Sequence, residues 1–130
     1  MKISVLIILV SFFQFASAQK QNWDKALIGS WEFEKFDVDR GDKYSGLNQF
    51  QADGKFESLL TLVDHNGEAE NYAGQGIWWT EMNFIFYKYE DGTIHSQSYE
   101  IIDENTIRIK EINPSDNPIL DDLIYERAPE

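Results

Sequence analysis

The chain contains no cysteine, which excludes disulfides, thiolate metal sites and a thioether-linked lipid. Basic residues are scarce too: 11 Lys and Arg stand against 23 Asp and Glu, a formal net charge of −12 at pH 7. Binding nucleic acid or an anionic lipid surface needs Lys and Arg to displace counterions from phosphates. Neither partner is expected here. Histidine occurs twice, at His65 and His95, with no His-x-x-x-His spacing and no serine-nucleophile motif beside it. The chain therefore reads as non-enzymatic, with no cofactor and no metal. The acidic turns Asp37-Val38-Asp39 and Asp64-His65-Asn66-Gly67-Glu68 lack the spacing of a calcium loop and read as solvated turns.

Long apolar runs are missing as well. The longest, Ile3 to Phe15, is broken by Ser4, Ser11 and Gln14 and falls short of the roughly 20 residues that span a bilayer. Lys2 precedes it and Ala16-Ser17-Ala18 follows, the charged start, apolar middle and small-x-small end of a cleaved signal peptide. Residues 1–18 are expected to be removed, leaving a domain over 19–130 that is periplasmic or extracellular and has no membrane anchor. Losing Lys2 makes that domain more acidic still. The charge serves solubility.

Aromatic residues are abundant, with four Trp and six Tyr in the whole chain, all beyond residue 18. They supply a core despite the charge. Beyond residue 28 the hydrophobic pattern has a period near two and turn signals recur regularly, the rhythm of a strand meander. Eight strands are expected: Ser30 to Val38, Tyr44 to Gln51, Lys55 to Val63, Glu70 to Thr80, Asn83 to Glu90, Thr93 to Ile102, Thr106 to Ile112 and Ile119 to Arg127. Asn22 to Ile28 reads as a single helical turn capped by Asn22. Short connections permit antiparallel neighbours, and such a sheet either exposes two edges or closes. An eight-stranded antiparallel up-and-down β-barrel fits best, with a two-sheet sandwich as the alternative.

The Leu27-Ile28-Gly29-Ser30-Trp31 segment resembles the Leu-x-Gly-x-Trp opening of the lipocalin-like families. In order, Phe50-Gln51-Ala52-Asp53-Gly54-Lys55-Phe56 resembles their second hairpin, Gly76-Ile77-Trp78 their fourth strand and Tyr125-Glu126-Arg127 their closing strand. The match spans nearly all of the chain after residue 18 and is nearest to the short exported lipocalin-like domains of Bacteroidetes type, which share the calycin-like barrel. The chain is shorter than a typical lipocalin and has no long helical pattern before its last strand. The resemblance implies that Trp31 and Arg127 meet where the barrel closes, and it implies a fold more firmly than an activity.

Alternation then phases the inner wall. On the sixth strand His95, Gln97, Tyr99 and Ile101 share a face, so Tyr99 pointing inward takes His95 and Gln97 with it. Asn48 and Phe50, Ser58 and Leu60, and Gly74, Gly76 and Trp78 continue that wall. Polar donors in an apolar interior are how small-molecule sites fix orientation, which makes Asn48, Phe50, Trp78, His95, Gln97 and Tyr99 the candidate ligand-binding set. Otherwise the sixth strand bulges near Tyr99, and His95 and Gln97 face solvent. Gly74 and Gly76 either open space or let the sheet bend. The expected function is to hold a small apolar or amphipathic molecule. The alternative is a protein-interaction or inhibitor module with a filled barrel, using loops and an outer aromatic surface around Trp79 and the fifth strand.

The signal-peptide reading predicts that exported material begins at Gln19, which intact mass of the secreted protein checks. Residues 1–18 retained in a membrane fraction would contradict it.

Overall fold

The structure, a computed structural model, describes residues 23–129. The signal-peptide segment and Asn22 lie outside these residues. Eight strands form a closed barrel in sequence order: β1 (Gly29–Asp37), β2 (Asp42–Phe50), β3 (Lys55–Val63), β4 (Ala69–Glu81), β5 (Phe84–Tyr89), β6 (Ile94–Asp103), β7 (Thr106–Glu111) and β8 (Asp122–Arg127). Every pairing is antiparallel between chain neighbours, and β1 returns to β8. Closure removes both sheet edges. The sandwich alternative is therefore wrong: each connection is short enough only to join adjacent strands. The longest connection, between β7 and β8, holds a short 3₁₀ turn, Pro118–Leu120, within the span expected as strand. Pro118 cannot donate to a sheet ladder and starts that turn instead.

One end of the barrel is sealed by what precedes β1. A 3₁₀ turn, Lys25–Leu27, is capped by Asp24, whose carboxylate accepts from Ala26 N, so the cap is Asp24 where the sequence suggested Asn22. Leu27, Trp31, Phe50, Trp78, Ile85 and Ile107 are almost wholly buried at this end. The indoles there donate to backbone carbonyls: Trp23 Nε1 to Trp78 O at 2.7 Å, Trp31 Nε1 to Leu27 O at 2.8 Å and Trp78 Nε1 to Gln51 O at 3.0 Å. Buried indole N–H groups need such partners, since an unmet donor costs about 1–3 kcal/mol. Asp24 adds two links, with its N–H donating to Thr80 Oγ1 and its carboxylate accepting from Tyr99 Oη at 2.7 Å.

The seam between β1 and β8 is short, with Trp31 opposite Arg127 and Glu32 opposite Glu126. The Arg127 guanidinium lies 4.3 Å from the Trp31 ring centroid. It donates to the carbonyls of Ile28, Ala26 and Glu104. Gly29 makes room for it: its φ is +130°, and a Cβ there would sit 2.6 Å from Arg127 Nη1. The glycine of the Gly-x-Trp segment is thus fixed by the cation it faces. At Gly76 the constraint is backbone, because a Cβ would meet the Lys88 carbonyl oxygen at 2.0 Å. That glycine permits close approach of β5 and opens no space.

Arg127→Ala is expected to cost about 1–3 kcal/mol of stability through loss of the ring contact and carbonyl bonds. Trp31→Ala should cost about 3–5 kcal/mol, as for other large buried aromatics. Denaturant melts check both, and two variants melting like the parent would refute the seam's role.

Candidate functional site

The other end of the barrel is not filled. A cavity of about 310 Å³ lies inside it, its lining including Phe33, Phe56, Leu60, Tyr89, Leu120 and Leu123. This is near the lower end of the ~300–1,000 Å³ usual for ligand pockets. Tyr72, more than half exposed, stands at its edge. The β7–β8 connection folds over this end, its Asn117 Nδ2 donating to Tyr44 Oη at 2.9 Å. Small residues oppose one another across β2, β3 and β4, where Asn48 faces Ser58 and Ser58 faces Gly74, and the Tyr89 ring packs over Gly74, where a Cβ would stand 2.9 Å from it.

A polar cluster in the lining is carried by β6 and β7, next to Tyr87 of β5. Glu111, the last residue of β7, is opposite Gln97. Gln97 Nε2 donates to Glu111 Oε1 at 2.6 Å, and His95 Nε2 stands 3.0 Å from Glu111 Oε2. The hydrogen bond to Glu111 raises the His95 pKa above 6.5, against a smaller lowering by burial. Tyr87, opposite His95 across β5 and β6, stacks on its ring with centroids 6.1 Å apart. Tyr87 lines the cavity, is 5% exposed, and its hydroxyl has no hydrogen-bond partner among the described residues. Burial raises the Tyr87 pKa well above the ordinary phenol value, and the nearby Tyr125, Tyr89 and Glu111 add to the rise. Tyr125 and Tyr89 are raised for the same first reason, and Glu111 contributes to each.

The six candidate residues separate by height along the barrel. Asn48, His95 and Gln97 line the cavity. Phe50, Trp78 and Tyr99 do not: Phe50 and Trp78 pack against each other with centroids 4.9 Å apart in the sealed end, and the Tyr99 hydroxyl is taken by Asp24. Alternation assigns a face, but a strand rises about 3.3 Å per residue, so residues of one face two to four apart reach different depths. Ligand-dependent Trp78 emission is accordingly not expected. The irregularity in β6 falls between Ile101 and Asp103, beyond Tyr99. His95 and Gln97 keep the inward phase and are satisfied by Glu111. Glu111 itself was missed, although Ile107, Ile109 and Glu111 share one phase, a signal readable in the sequence.

A scan against family models finds no match to this chain, and a search of curated proteins finds none. Among solved structures it is similar to a de novo designed fluorescence-activating β-barrel, at 14% identity and a TM-score of 0.45, covering 80% of this chain and 95% of that one. At that distance the likeness bears on neither ligand nor chemistry.

The His95–Glu111 pair yields a pH prediction. A raised folded pKa means that the pair's stabilisation is fully present below about pH 6.5, the unfolded value, and is lost as pH rises through the higher folded value. NMR titration of His95 should give a midpoint above about 6.5 that drops in Glu111→Gln. A midpoint unmoved by that substitution would contradict the pairing.

Proposed function

We propose that this chain is an exported, non-enzymatic binding protein of the short lipocalin-like type, holding a small amphipathic molecule in its barrel. The observation that carries the reading is the cavity itself. Its lining joins aromatic and aliphatic side chains to a polar cluster of Glu111, His95 and Gln97, the composition by which pockets bury an apolar body and orient a polar group. The Glu111, His95 and Gln97 cluster in the lining supports it, as the placed polar groups that fix a ligand's orientation. The lipocalin-like assignment is supported by the Gly29, Trp31 and Arg127 seam, and export by the signal pattern of residues 1–18.

A specific observation favours a second reading, a protein partner on the outer face of β4 to β6. Trp79 and Phe86 stack there, centroids 5.5 Å apart at 10°, beside the exposed Ile77, Phe84 and Ile94. Such a contiguous apolar patch is a feature of interaction surfaces.

Calorimetric titration with phenethyl alcohol, a neutral amphipathic probe, separates the two readings. Saturable binding is expected, weakened about tenfold or more by Ser58→Phe, which fills the cavity from β3, and unchanged by Trp79→Ala. Binding lost in Trp79→Ala and kept in Ser58→Phe would favour the outer face.

A further inference from the structure

We propose that the cavity selects a small organic cation, a protonated amine on an apolar or aromatic body, with its ammonium held by the Glu111 carboxylate and the surrounding tyrosines. This rests on the binding reading above and adds the charge of the ligand. Among the described residues, those lining the cavity include neither Lys nor Arg, and Glu111 is the only acid of that set. The Glu111 side chain is 16% exposed, so water screens it poorly. Its charge reaches Tyr87, Tyr89 and Tyr125 together.

The geometry leaves that carboxylate with capacity to spare. An ionised carboxylate offers about four acceptor positions, and Gln97 and His95 do not exhaust them. An alkylammonium brings three donors, and Glu111 can accept from those that the acceptor positions left by Gln97 and His95 reach. The ammonium charge also gains from desolvated aromatic faces, and Phe56 lies edge-on to both Tyr87 and Tyr89 at 5.1 and 5.4 Å. A carboxylate or phosphate ligand would meet Glu111 with only His95 to offset the repulsion, and an alcohol has a single donor. The acidic chain as a whole adds a field that draws cations in.

The groups facing Glu111 are His95 from β6, Tyr87 and Tyr89 from β5 and Tyr125 from β8. Of these only His95 changes charge near neutral pH. As it loses its proton the carboxylate is left uncompensated, so amine affinity should rise from about pH 6 to 8.5, a range in which an alkylammonium stays charged.

The test compares phenethylamine, phenethyl alcohol and phenylacetate by calorimetry at about pH 8. Phenethylamine is expected to bind about tenfold or more tightly than the alcohol, with phenylacetate weakest. Glu111→Gln should reduce the amine to the alcohol's affinity. Amine affinity rising between about pH 6 and 8.5 while alcohol affinity stays level is a readout that a merely structural Glu111 would not give, and it decides the matter if Glu111→Gln fails to fold; a level amine affinity overturns the assignment. Alcohol or phenylacetate binding as tightly as the amine overturns the cation assignment and leaves the binding reading standing. Saturable binding by none of the three overturns both.

Discussion

Closure of the sheet depends on Arg127, because β1 and β8 share only two register pairs and one of them sets Glu32 against Glu126. Like charges directly opposite weaken a strand pair, so the burden falls on the other pair. There the guanidinium covers the Trp31 ring and gathers carbonyls from the 3₁₀ turn and from the β6–β7 turn. One side chain thereby joins the start of the barrel, its end and the plug beneath it. Gly29 is shaped to this cation, and Trp31 is oriented by its own bond to Leu27. With one end fixed in this way, the other is free to remain hollow.

The strand meander was legible in the sequence because each hairpin repeats a period of two between turn residues, and β3 runs over the expected Lys55–Val63. Ends of elements were harder to read. The helical turn begins later than expected because Asp24 offers both a cap for the turn and an acceptor for Tyr99, a contact 75 residues away that no local pattern encodes. Proline 118 shortened β8 for a local reason, the missing N–H.

The candidate site was legible by face and not by depth. Inward phase grouped Asn48, His95 and Gln97, which line the cavity, with Phe50, Trp78 and Tyr99, which share that phase and lie in the sealed end. Glu111, which bonds Gln97 and His95, sits at a strand terminus on β7, where its partners come from the register with β6. Tyr87 reads in the sequence as one more ring in an aromatic strand. Its significance arises only once packing isolates its hydroxyl. Stability alone would favour phenylalanine there, since a buried hydroxyl without a partner is a cost.

These features divide the barrel into a stitched, aromatic base and a hollow upper half with a carboxylate in its wall. The most direct test of that division is the set of intermolecular NOEs in a sample saturated with phenethylamine. Contacts from its ring to the methyls of Leu60 and Leu123 and to the rings of Tyr87 and Tyr125, with none to Trp79 or Phe86, are predicted. Contacts confined to Trp79 and Phe86 on the outer face, or to Phe50 and Trp78 in the base, would contradict the account.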